Sequence, residues 1–312
     1  MKKEFQLRLL PTLALATVAA LAGCGGGGGE REAGQGLAQG VTLEFVARAG
    51  SAPVSCGTLV SGLGSGGVDA QLQDLRFYIS NVRLLRSDGS EVALALGAND
   101  DWNLTAGSDS LTLIDLEDGS GACSEGTAAT NATIRGTVPA GDYTGVKLTM
   151  GVPFALNHSD YAMAPRPLDL QGMAWSWQSG RKFANIELTE PAGTSRPWTT
   201  SSFLFHLGST GCSGNPASGE TVSCAAPNRM EFTLANFDPA TQRIAIDLQA
   251  LLAGTDITVN RGGGPGCMSG GTDPECLRVF EALAIDWKPD GSGTGRPIAG
   301  GAAQTLFRAV AK

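Results

Sequence analysis

The chain has 312 residues, 44 of them glycine, with 17% charged side chains and a formal net charge of −8. An acidic balance without a basic cluster excludes nucleic acid and anionic lipid headgroups as electrostatic partners. The glycine content and the scarcity of helix-forming runs point to a turn-rich, all-β protein.

Residues 1–23 read as an export signal. Lys2, Lys3 and Arg8 form a positive start, and residues 9–21 are apolar but too few to span a bilayer comfortably. The stretch ends Leu21-Ala22-Gly23-Cys24, which looks like a bacterial lipobox. Cleavage before Cys24 and acylation of its thiol are expected, giving a protein tethered by lipid to the outer membrane, in the periplasm or at the cell surface. Gly25 is not aspartate, so nothing resembles an inner-membrane retention signal. The mature chain keeps 19 basic and 29 acidic residues, a net charge of −10. Residues 24–40 are a Gly-rich tether. No proline-rich or charged linker interrupts residues 41–312, so one domain is expected there. No later run is long and apolar enough to cross a membrane as a helix.

Strand signals then follow one another between turns. Residues 41–47 alternate as a first strand. Residues 71–85 contain LRFYISNVRLL and are strongly β-forming; a turn at Asp88-Gly89 leads to a partner strand over 91–96. Residues 110–116 are another strand. Residues 131–138 and 143–150, joined by Pro139-Ala140-Gly141-Asp142, read as a hairpin. Residues 173–178 read as a strand with Met173, Trp175 and Trp177 on one face and Ser176 and Gln178 on the other. Strands over 183–188, 202–207, 229–234 and 243–248 complete a sheet-on-sheet pattern. The fold class is therefore all-β, a β-sandwich-like single domain with long disulfide-stapled loops. There is no internal repeat.

With Cys24 set aside, six cysteines remain: Cys56, Cys123, Cys212, Cys224, Cys267 and Cys276. An even number in an exported chain predicts three disulfides, for which fifteen pairings exist. Local loop closure favours Cys212–Cys224 and Cys267–Cys276, leaving Cys56–Cys123. A thiolate metal site is the rival, but the chain has no CxxC, and oxidised sulfur does not act as thiolate. The carboxylates near 115–119 and 286–291 lack the spacing of an EF-hand loop and read as solvated turns.

The chain has two histidines. His158 lies in GVPFALNHSD after a predicted strand, and His206 in FLFHLGSTGC near a strand end. Loops and strand ends are where sites are built. Neither histidine belongs to an HxH or HExxH pattern, and spacing alone gives each no more than an ordinary structural role. No GxSxG elbow or phosphate-cradling loop is present, and Ser159-Asp160 beside His158 is too local for a catalytic triad.

Taken together and in order, RFYISNVRLL, GVPFALNH, PLDLQGMAWSWQSGRKF, FLFHLGSTGC and CMSGGTDPEC resemble the MbnP-like family. The resemblance runs over nearly the whole mature chain, about residues 41–308. These are secreted copper-binding proteins, not enzymes, often paired with a di-haem, cytochrome c peroxidase-like protein. The resemblance implies that this partner oxidises one tryptophan to kynurenine. It also implies that copper, as Cu(I), is held by two histidines and the new aromatic amine. Carried onto this chain, the histidines are His158 and His206, and the tryptophan is Trp175 or Trp177. Trp198 is a secondary candidate; Trp102 and Trp287 read as core or rim. An intact indole N–H only donates and is a poor ligand, whereas an opened ring frees an amine. Imidazole and aniline nitrogens suit copper, and a sparse ligand set suits Cu(I). Two other readings compete: a structural or adhesive β-sandwich lipoprotein without metal, and a glycan-acting enzyme, which needs two facing carboxylates beside the aromatics.

Overall fold

The computed structural model describes residues 37–176, 179–194, 198–215, 218, 220 and 222–312. Cys24, the tether up to residue 36 and Trp177 lie outside them. The first half of the chain forms β1 (Ala38–Ala49), β2 (Ala52–Pro53), β3 (Leu59–Leu63), β4 (Val68–Leu85) and β5 (Glu91–Ala93). There follow β6 (Ala95–Leu96), β7 (Asn103–Ala106), β8 (Asp109–Asp115), β9 (Thr133–Pro139) and β10 (Gly145–Met150). After the short helix α1 (Phe154–Asn157) come β11 (Ala184–Thr189), β12 (Ser202–Leu207), β13 (Thr210–Ser213) and β14 (Ser223–Ala226). The chain ends with β15 (Met230–Ala235), β16 (Gln242–Asp247), α2 (Leu248–Leu252), β17 (Gly266–Cys267), α3 (Cys276–Leu283) and β18 (Phe307–Ala311).

β4 is the spine. Its first part pairs with β11 and its second with β10, while β3, β8 and β5 line its other side in turn. The resulting ten-stranded sheet runs β15-β10-β4-β11-β12-β17, and a six-stranded sheet runs β18-β16-β1-β9-β6 with β2 on β1. A separate hairpin is β13-β14. The two large sheets pack face to face. Phe45 and Phe307 of the smaller sheet meet Phe77 and Phe232 of the larger, with Phe232 stacked on Phe307 at 4.3 Å. Each such ring, fully withdrawn from water, contributes about 2–3 kcal/mol before conformational entropy is counted. The β-sandwich read from strand spacing is the observed architecture.

Four local readings need correction. The carboxylates near 115–119 are not all solvated: Asp115 and Glu117 are buried, and Glu117 accepts from the backbone N–H groups of Gly119 and Thr127, both at 3.0 Å. The expected 131–150 hairpin is not one: β9 pairs with β1 and β6, and β10 with β4 and β15. The polar turn between them carries the chain from one sheet to the other, so Val138 and Val146 are both buried. The strand expected over 91–96 also divides, β5 joining β4 and β6 joining β9. Finally, residues 173–176 are not a strand. A 3-10 turn spans Gln171–Met173, and Ala174 bridges Arg181. Gly180, at φ 85°, and its N–H bond to the Ser176 carbonyl fold the chain back before a strand can extend.

The disulfides are Cys56–Cys123, Cys212–Cys224 and Cys267–Cys276. No helix among the described residues is long and apolar enough to cross a membrane.

Candidate metal centre

His206 is set by strand alternation. Phe203, Phe205 and Leu207 point into the sandwich core, which sends Leu204 and His206 to the outer face of the sheet. That face is polar and covered. Across the ladder His206 opposes Asn185, and Asn185 opposes Arg76, which opposes Asp115. Asn185 Nδ2 donates to Asp74 Oδ2 at 2.6 Å, Asp74 pairs with Arg76, and Lys182 Nζ donates to Asn185 Oδ1 at 3.2 Å. The Gln171–Met173 turn passes over this network: a Cβ on Gly172 would lie 3.3 Å from Arg76 Nη2.

His206 Nε2 lies 2.8 Å from Glu187 Oε1. Burial pushes the Glu187 carboxyl up, but the hydrogen bond of His206, the charge of Lys182 and the hydrogen bond of Asn185 outweigh it, holding the group below its ordinary range. Glu187 is therefore an ionised acceptor, and Nε2 must be the donor. Burial, opposed by Glu187, pushes the imidazole pKa down. The ring is accordingly neutral at neutral pH, with its proton on Nε2 and a lone pair on Nδ1.

His158 follows α1 and is also buried, at 7% exposure. Its orientation is determined by Asn157. The Arg181 backbone N–H donates to Asn157 Oδ1 at 2.9 Å, so the amide is turned with Nδ2 towards His158 Nε2, 3.1 Å away. Nε2 therefore accepts, and carries the ring's lone pair. It also lies 3.4 Å from Cys224 Sγ. His158, Cys212 and Cys224 have ligand atoms within 4.8 Å of one another. The two sulfurs are bonded to each other, however, which leaves the imidazole as the metal-competent member.

Arg181 holds this corner together from beneath. It is 1% exposed, and its guanidinium donates to the carbonyls of Leu168 (2.9 Å), Asn157 (3.1 Å) and Ser159 (2.6 Å). The carbonyls flanking His158 thus converge on one buried cation, whose pKa burial pushes down.

Trp175 is partly exposed at the rim of a cleft of about 530 Å³ that Ser209, Cys212 and Met268 also line. The indole rests on backbone: a Cβ added to Gly208 would fall 2.4 Å from Trp175 Cζ3. Gly208 itself is clamped. Its N–H donates to Ser269 Oγ (3.2 Å), whose hydroxyl donates to the His206 carbonyl (2.8 Å), and its carbonyl accepts from Asn228 Nδ2 (2.8 Å). His158 reaches the same cleft through its neighbours. Asn157 Nδ2 is 3.4 Å from Ser209 Oγ, and Cys224 is bonded to Cys212.

Of the residues singled out from the sequence, His158, His206 and Trp175 thus gather around the 206–212 segment. Trp198 does not: it is 7% exposed and lines a different cavity with Leu59 and Val68. Trp102 packs partly buried against the core, and Trp287 donates to the Gly270 carbonyl at 3.0 Å. Among the described residues, no Asp or Glu lines the Trp175 cleft, so the paired acids of glycan hydrolysis are not found there. Sequence reasoning missed Asn157, Arg181, Glu187 and Ser269, none of which carries a motif of its own.

A family model described as MbnP matches residues 38–269. The chain belongs to the MbnP family. A solved structure, MbnP from Methylosinus trichosporium, is 36% identical and superposes with a TM-score of 0.77, covering 88% of this chain and 99% of that one. No curated protein matches the chain. Membership in the MbnP family gives the chain a copper-associated role in general terms. Neither imidazole lines the Trp175 cleft itself; both are buried behind it, His206 two residues before the Gly208 on which the indole rests and His158 against the oxidised Cys212–Cys224 pair.

Proposed function

We propose that this MbnP-family protein is a lipid-anchored copper-binding protein, not an enzyme, acting in the periplasm or at the cell surface. Cu(I) is its cargo. His158, His206 and a kynurenine derived from Trp175 hold it, and acylated Cys24 ties the chain to the outer membrane. A di-haem, cytochrome c peroxidase-like partner makes the kynurenine. Four electrons leave the indole through the partner's haems to two equivalents of hydrogen peroxide, four protons go to solvent, and the double bond of the pyrrole ring breaks with one oxygen from water on each of its two carbons. Hydrolysis then releases the outer carbon as formate and frees an aromatic amine.

The observation that carries this reading is the seating of Trp175. Its ring lies on Gly208, two residues beyond His206, in the cleft lined by the neighbours of His158. His206 Nδ1 and His158 Nε2, the latter exchanging its hydrogen bond from Asn157 Nδ2 for the metal, supply two nitrogens, and the new amine supplies a third, a set that suits copper. Partial exposure of Trp175 also lets it face a docked oxidant.

The test is an intact mass and peptide map of protein from its native host, joined to Cu(I) titration of His158→Ala and His206→Ala. The expected outcome is one indole carbon replaced by oxygen at Trp175, and loss of stoichiometric Cu(I) in either variant with the fold retained. Unmodified tryptophans in protein made beside its haem partner would overturn the maturation. Unchanged affinity in both variants would overturn the ligand set. A modification at Trp177 would move the third ligand there.

A further inference from the structure

We propose that the thioether of Met268 is an additional Cu(I) ligand, giving the site a soft donor that discriminates against Cu(II) and Zn(II). The inference rests on the copper reading above and adds to its ligand set. Met268 lines the cleft into which Trp175 faces. The other donors there, among the described residues, are the hydroxyls of Ser179, Ser209 and Thr210, which are hard, and the sulfur of Cys212, which is committed to Cys224. The thioether is thus the one soft donor of that lining that no covalent bond occupies.

Its surroundings differ from those of a packing methionine. Met150, Met173 and Met230 are fully buried, whereas Met268 is partly exposed at a mixed polar rim. Methionine in a core is a gap filler; here the side chain lies against Gly264 on one side and opens onto the cleft on the other. The backbone on both sides is also fixed. Cys267 is bonded to Cys276, and the Met268 N–H donates to Asp273 Oδ2 at 2.8 Å. Ser269 takes a left-handed φ of 62°, uncommon for a residue with a Cβ, and spends its hydroxyl on the His206 carbonyl and the Gly208 N–H. Met268 is thereby tied to the same segment that carries His206 and seats Trp175. Nitrogen donors alone serve Cu(I), Cu(II) and Zn(II); a thioether favours the monovalent ion.

The experiment compares the full-length protein and Met268→Leu, both produced in the native host. Leucine keeps the volume and apolar character, so the fold is retained. Cu(I) affinity is measured by competition with a chromophoric chelator, Cu(II) and Zn(II) affinity by titration, and the ligand shell by X-ray absorption at the copper edge. The expected result is a sulfur shell in the parent that vanishes in Met268→Leu. Cu(I) affinity should fall at least about tenfold, and Cu(II) and Zn(II) affinity should hold to within about twofold. A parent that binds Cu(I) without a sulfur shell, or with one that survives in Met268→Leu, overturns the proposal and leaves the nitrogen site standing. A parent that binds no Cu(I) overturns both.

Discussion

Glu187 fixes the chemistry of His206 more than any other single contact. By accepting from Nε2 at 2.8 Å it selects the tautomer and leaves the lone pair on Nδ1, the nitrogen assigned to copper in the proposed site. Removing that carboxylate frees the ring to rotate and to take its proton on either nitrogen. Glu187→Ala is therefore expected to lower Cu(I) affinity by roughly 10–100-fold while His206 stays in place. Chelator competition reads this directly, and an affinity within twofold of the parent would show that Glu187 has no part in the site. The two histidines stand out in the sequence as candidates because the chain has only two and each sits in a segment resembling the family. Glu187 does not. In ANIELT it alternates with Ile186 and Leu188 as a solvent-facing strand residue would, and only the cross-strand pairing of β11 with β12 brings it to His206. Arg181 was hidden in the same way. After Ser-Gly it reads as an exposed turn residue, yet it is a buried cation gathering three carbonyls around His158.

At the scale of elements, the 173–183 segment shows what periodicity misses. Met173, Trp175 and Trp177 are spaced as one strand face, and the large residues invited that reading. The deciding residue is Gly180, which takes a left-handed φ and turns the chain back so that Lys182 N–H donates to the Met173 carbonyl at 2.9 Å. The same ambiguity explains the 131–150 connection. A Pro-Ala-Gly-Asp turn serves a hairpin or an arch between sheets equally well, and only packing of both apolar faces into one sandwich chooses the arch. The seat of Trp175 was equally unreadable, because nothing in HLGST announces that an indole lies on the glycine. Gly208→Ala should displace the ring: the new Cβ would meet Cζ3 at 2.4 Å and the Arg181 carbonyl at 2.9 Å, so something must move. The expected result is a change in tryptophan fluorescence and a lower yield of modified Trp175 in the native host. An unchanged yield at full expression would mean that the seating of the ring does not control its oxidation.

The molecule as a whole was the most legible level, because sandwich class follows from many strand signals at once and does not depend on any one. The cysteines were legible too, since short separations favour local closure and the remaining pair is then fixed. Their separations now give an ordering of stability. Cys56–Cys123 closes 67 residues, a span that holds β3 through β8 and so half the strands of the larger sheet. Cys267–Cys276 closes 9. Loop-closure entropy in the unfolded chain makes the first worth about 4 kcal/mol and the second about 2.5 kcal/mol. Double Cys→Ala variants of each pair, compared by denaturant unfolding, should lose stability in that order, with the slope rising more for the longer loop as its unfolded state expands. If the short bridge proves the costlier to remove, its weight lies in the native state: it would then be holding Met268 and Ser269 against the His206 segment, and copper affinity should fall in that variant and not in the other.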